Sequence, residues 1–159
     1  MKTIASQIHM TQGEYDAVRA CGNMSAMGKK HKTFIMELFF RALADRTRLR
    51  VLNLLGNDEV CVCFLVEILQ TNQPNISRHL AYLRRASVVG ARREGKWMHY
   101  RIIDPPDPYA AIVMRNVRAW FEQDKEMKRD RKRLVNVCCS PQLPVPLQGA
   151  PRPASVMSI

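Results

Sequence analysis

Asn72-Gln73-Pro74-Asn75-Ile76-Ser77-Arg78-His79-Leu80-Ala81-Tyr82-Leu83-Arg84-Arg85 decides how this chain reads. Asn72 can cap a helix, and Pro74 falls in its first turn, where the missing N–H is harmless. At 100° per residue, Ile76, Leu80 and Leu83 share one face, suited to a core, while Asn75, Arg78, Tyr82 and Arg85 point to the other. The outer face carries groups able to read a duplex. Arg78 can make a bidentate contact to a guanine edge, and Asn75 or Gln73 can do so for adenine. Ser77 and Arg85 suit phosphates. The helix is predicted to run to about Ala86.

Working outward, the period changes from helical to alternating after this helix: Met98, Tyr100 and Ile102 alternate with Trp97, His99 and Arg101, and Glu94-Gly95 offers a tight turn between two strands. Arg92, Arg93 and Lys96 crowd the tip of that hairpin, a basic finger suited to a phosphate backbone or minor groove. Upstream, Ile35, Leu38, Phe39 and Ala42 fall on one face of a first helix. Asp45 can cap a second carrying Leu49, Leu52 and Leu55, stopped by Gly56-Asn57-Asp58. Leu65, Ile68 and Leu69 form the stripe of a third, broken at Gln70-Thr71-Asn72. Beyond the hairpin, Asp104-Pro105-Pro106-Asp107-Pro108 interrupts the chain. Ala110, Val113, Met114, Val117 and Phe121 then mark another apolar helical face. Three helices, a short turn, a fourth helix, a β-hairpin and a last helix make a mainly α fold with a β-hairpin, the element order of a winged helix-turn-helix.

The expected organisation is an N-terminal arm over 1–32, where residues 12–20 can form a short helix, a winged helix-turn-helix domain with a C-terminal helix over 33–139, and a disordered Pro-rich tail over 140–159. Lys and Arg number 25 against 14 Asp and Glu, a net charge of +11, which points to a polyanionic partner, double-stranded DNA first. No apolar run approaches a membrane span, and the first residues lack the apolar stretch of a secretory signal, which predicts a cytoplasmic chain. Nothing marks an enzyme. There is no Cys-x-x-Cys, no placed nucleophile and base, and no glycine-rich phosphate loop, so no catalytic cofactor is expected.

Leu43-Ala44-Asp45-Arg46-Thr47-Arg48-Leu49-Arg50-Val51-Leu52, then Val60-Cys61-Val62-Cys63, then Gln73-Pro74-Asn75-Ile76-Ser77-Arg78-His79-Leu80, resemble the ArsR/SmtB family of metal-sensing repressors. So does Arg92-Arg93-Glu94-Gly95-Lys96-Trp97-Met98-His99-Tyr100-Arg101. The match spans about residues 34–103. It implies a homodimer, paired through N- and C-terminal helices, that occupies a palindromic operator and leaves it when a toxic ion binds. It also implies DNA contacts from Gln73, Ser77, Arg78 and His79, the last on the flank of the outer face. Two positions depart from the family pattern. Arg46 replaces a helix-starting proline, which should matter little, and Ser87 stands at a turn that tends to hold glycine and is strained if that turn needs positive φ.

By the same resemblance, Cys61 and Cys63 are ligands; without it, they read as two small buried hydrophobes. On a regular helix residues i and i+2 lie about 200° apart and cannot share an ion, so chelation is expected to require a frayed or extended helix start, disturbing the helix that leads into the turn. Two sulfurs fall short of a trigonal site, and Val66 stands where some family members have a third cysteine. Cys138 and Cys139 are the leading substitutes and Cys21 the next. No histidine follows residue 99, so the expected set is all sulfur and favours a soft ion, for which the resemblance suggests As(III) or Sb(III) as inducer. A redox or persulfide switch on Cys63 and Cys138 or Cys139 is the alternative.

Overall fold

A computed structural model describes residues 34–154. The expected arm over 1–32, with its short helix and Cys21, and the chain from residue 155 onward lie outside the described residues.

Helix α1 (Met36–Leu43) carries Glu37 in its first turn and Arg41 in its last, charges that complement the helix dipole. It buries Phe39 and Ala42. Ile35, expected on the same face, is 53% exposed. It is the extended residue before the helix (φ −112°, ψ 104°), so helical spacing does not apply to it. Helix α2 (Arg46–Leu55) begins at Asp45, whose carboxylate accepts the Arg48 N–H at 2.9 Å. It ends at Gly56, with φ at 54°, where a Cβ would meet the Arg131 guanidinium at 2.9 Å. The positive φ favours glycine there, whereas the mobile end of Arg131 could yield to a Cβ.

A short strand β1 (Val60–Cys61), not expected from the sequence, runs directly into helix α3 (Val62–Leu69). Gln70, left-handed at φ 50°, turns the chain, and Asn72 caps helix α4 (Gln73–Arg85) by accepting the Asn75 N–H at 2.9 Å. Ile76, Leu80 and Leu83 of α4 are fully buried, as the periodicity predicts. Ser87 does adopt positive φ, 58°. Strands β2 (Val89–Glu94) and β3 (Trp97–Ile102) follow, with Glu94 opposite Trp97, so that Gly95-Lys96 forms a two-residue turn. The antiparallel sheet has the order β1-β3-β2.

The C-terminal helix expected after the proline run is two helices. In α5 (Pro108–Phe121), Asp107 accepts the Ala110 N–H at 2.8 Å; in α6 (Lys125–Cys139), Asp124 accepts the N–H groups of Glu126 and Met127. Met127, Asp130, Leu134 and Cys138 form the buried face of α6, which packs on α2 and α3. Asp130 is held there by a bidentate pair from Arg50 at 2.6 and 2.8 Å. Arg46 has more consequence than expected: its guanidinium reaches both Asp124 and Glu126 at 2.8 Å and ties the starts of α2 and α6. The tail expected to be disordered lies on the body over 140–154. A 3-10 turn (Val145–Leu147) buries Leu147 completely against α3, and Arg152 donates to the Ser140 carbonyl. No helix among the described residues is long and apolar enough to cross a membrane.

Candidate nucleic-acid interface and thiol site

Helices α3 and α4 flank the turn Gln70–Asn72, and the buried stripe of α4 leaves Gln73, Ser77, Arg78 and Arg85 exposed. Three other residues expected on the reading face are turned to local duties. Asn75 is half-buried, and its amide donates to Thr71 Oγ1 at 3.2 Å. His79 Nδ1 lies 3.5 Å from Asp45 Oδ1, with 16% of the side chain exposed. Tyr82, expected to point outward, packs against the core under the Arg48 guanidinium, 4.5 Å from its ring centre. A large aromatic ring gains by burial, and the Arg48 guanidinium stacked on it holds it inward from the flank. Arg84, also exposed on α4, was not singled out in the sequence because it lies off the Asn75–Arg78–Tyr82–Arg85 row.

At the hairpin, Arg92, Arg93 and Lys96 are all exposed. Arg92 donates to Glu59 through Nε and Nη2 at 3.0 and 2.8 Å and to Glu94 through Nη1 at 2.8 Å. These contacts hold the Glu59 carboxyl below its ordinary value, the Arg92 hydrogen bond being the main cause. Arg93 donates to the Gly95 carbonyl, and the Lys96 ammonium sits 4.8 Å from the Trp97 ring centre. Arg101, missed as a candidate although it alternates outward on β3, is 62% exposed at its side chain and lies 3.8 Å from Glu59.

Cys61 and Cys63 are brought together, with the Cys63 thiol donating to the Cys61 sulfur. Of the two expected routes, frayed or extended, the structure takes the extended one. Cys61 is the last residue of β1 and caps α3 in an extended conformation (φ −66°, ψ 141°), so the 200° helical separation never applies and no helix need fray. The hydrogen bond from Cys63 draws the Cys61 thiol down against its burial, and the N–H groups of Cys63 and Met98 add to this. Cys63 is pushed up, because it carries the shared proton. Two adjacent soft sulfur donors fit a two-sulfur chelate of a soft ion. Cys138 is fully buried at the end of α6, and burial lifts its thiol to about 11; Cys139 is exposed. Among the described residues, no group of three or more His, Cys, Asp or Glu side chains converges as a metal cluster would.

Residues 45–90 match the model of the bacterial regulatory protein arsR family. The arsenical resistance operon repressor of Escherichia coli K12 is 38% identical over 102 residues, covering 64% of this chain and 86% of that protein. The arsenic resistance transcriptional regulator ArsR1 of Pseudomonas putida is 36% identical over 110 residues, 68% of this chain and 84% of that one. The structure of HlyU from Vibrio cholerae covers 60% of this chain and all of its own, at 26% identity and a TM-score of 0.48. Capped helices flanking a tight turn, a wing and extended similarity to two regulators over most of their length agree: this chain belongs to the ArsR family of winged helix-turn-helix, DNA-binding transcriptional regulators.

Proposed function

We propose that the chain is a cytoplasmic homodimeric repressor that occupies a palindromic operator and leaves it when arsenite or antimonite is taken up on Cys61 and Cys63. The observation that carries this reading is the juxtaposition of the Cys61 and Cys63 thiols at the start of α3, the helix that leads into the turn before α4. The hydrogen bond from Cys63 draws the Cys61 thiol down, which favours the thiolate that a soft ion takes up. Two relatives named for arsenic resistance support the choice of ion.

Within this reading Gln73, Ser77, Arg78 and Arg85 meet the duplex directly, aided by Arg93 and Lys96. Asn75, His79 and Tyr82 hold the reading helix in place from its flank. Arg92 joins the contact once it leaves its carboxylates. Pairing of two chains is supported by an apolar face on α1 and α5, where Met36 is 58%, Phe40 50% and Trp120 69% exposed around a cleft lined by Leu43, Val113 and Val117. A bound ion supplies strong soft-donor bonds that keep both thiolates on one centre. A third donor comes from Cys139, from Cys138 once uncovered, or from Cys21.

The test is the anisotropy of labelled operator titrated with arsenite under reductant. Cys61→Ser and Cys63→Ser should keep operator affinity and lose release. The Cys138→Ser, Cys139→Ser double variant should blunt release if either thiol completes the site. Normal release by the Cys61→Ser, Cys63→Ser double variant overturns the reading. The lowered Cys61 thiol also favours a second reading, a persulfide or redox switch, for which a sulfane-sulfur donor or peroxide would release DNA where arsenite does not.

A further inference from the structure

Three residues stand in one row across the sheet: Cys61 of β1 faces His99 of β3, and His99 faces Arg92 of β2. Residues opposite one another project to the same face, within reach of each other. His99 is 4% exposed, and its Nε2 is buried without a hydrogen-bond partner. Such an atom is costly to keep, which directs attention to a second arrangement in which it is satisfied.

The group within reach is Glu94, whose Oε2 lies 4.0 Å from His99 Nε2. Arg92 occupies that carboxylate and Glu59 as well, so this arginine cannot present itself to a phosphate without leaving both. Each carboxylate has a further basic neighbour, and His99 lies near enough to act on Glu59 as well. Glu59 has Arg101 Nε at 3.8 Å, and Glu94 has His99.

We propose that His99 is a positioning residue of the wing: its Nε2–H takes over the Glu94 carboxylate when Arg92 turns to a DNA phosphate, and Cys61 ties this exchange to the thiol pair. Glu94 trades a bond from Arg92 for one from His99, the orphaned nitrogen gains an acceptor, and the guanidinium is released for the backbone. The exchange moves no atom of α4, so it tunes affinity without altering sequence reading. Its link to Cys61 runs through the β1–β3 ladder, where Cys61 stands directly opposite His99. That link rests on the thiol-sensor reading above; the exchange itself does not.

The test uses the full chain and a labelled duplex of mixed sequence, titrated across salt. His99→Phe keeps a buried ring and removes the nitrogen. It should lose one phosphate contact per chain, lowering the salt slope by about 1 per bound chain. His99→Gln, whose amide N–H can stand near the position of Nε2, should restore the slope, which a merely structural role would not produce. If His99→Phe does not fold, His99→Asn, too short to reach Glu94, takes its place. A wild-type slope in His99→Phe or His99→Asn, or an equal loss in His99→Gln, overturns the exchange. With sodium arsenite added, the ratio of duplex affinities without and with the ion should fall toward one in His99→Phe, while the number of thiols blocked by arsenite stays at the wild-type count. An unchanged ratio overturns the link to Cys61. A wild-type protein that ignores arsenite removes the thiol-sensor reading, and the salt slope still decides the exchange.

Discussion

Replacing Asp45 by alanine probes the joint between the second helix and the reading helix, and its cost can be assembled from contacts. The Asp45 carboxylate accepts the Arg48 N–H at 2.9 Å, a cap whose loss costs about 1 kcal/mol. It also lies 3.6 Å from the Arg48 guanidinium and 3.5 Å from His79 Nδ1, with the three side chains between 13% and 32% exposed. Contacts of that length and exposure add roughly 0.3 kcal/mol each. Asp45→Ala should therefore destabilise the fold by about 1.5 kcal/mol. Asp45→Asn keeps an oxygen at the cap and should lose only about 0.5 kcal/mol. Urea unfolding at one protein concentration measures both, and a slope of roughly 1.5 kcal/mol per molar turns the larger loss into a midpoint shift of about 1 M. Because His79 flanks the exposed face of α4, Asp45→Ala should also weaken operator binding more than Asp45→Asn does. Equal losses for the two variants, or an alanine variant as stable as wild type, would refute the assignment of the stabilisation to the cap.

Ser87→Gly should raise the melting temperature by roughly 2 °C, since relief of a left-handed serine at φ 58° outweighs the added freedom of glycine in the unfolded chain; a lower melting temperature would show that the turn is not strained. Arg78→Ala should cost about 1 to 3 kcal/mol on the operator and relax specificity, whereas Lys96→Ala should weaken all duplexes alike. Equal loss on operator and random DNA would remove base reading from Arg78. The Asp124 carboxyl is held below its ordinary value, first by the Met127 N–H and then by the Arg46 guanidinium. A depressed folded pKa contributes stability above the unfolded value of about 3.9 and loses it as pH falls through the folded one, so the gap between wild type and Asp124→Asn in thermal unfolding should close below about pH 4. A gap that persists into stronger acid contradicts the shift.

Much of the functional site is legible in the chain because it is local. Asp45 and Asn72 cap the helices they precede, Pro74 sits in a first turn, and Ile76, Leu80 and Leu83 fall on one side at helical spacing; each depends on residues within about a turn of itself. Arg78 and Arg85 are exposed for the same reason, since the buried stripe leaves them outside. The family resemblance, carried by four motifs in order, agrees with the match to known regulators.

What only the tertiary structure decided involves partners distant in sequence. Cys61 and Cys63 meet because two residues of strand pair with β3, about forty positions away, and hold Cys61 outside the helix that spacing alone would assign it to. Tyr82 turns inward because Arg48 stacks on it, Arg92 is engaged because Glu59 lies beside it, and Leu147 draws the Pro-rich tail onto α3. His99 shows the division most clearly. Alternation along β3 marks it as one face of a strand, but whether that face is wet or buried depends on which strands and carboxylates close around it, and a periodic pattern carries no information about distant neighbours.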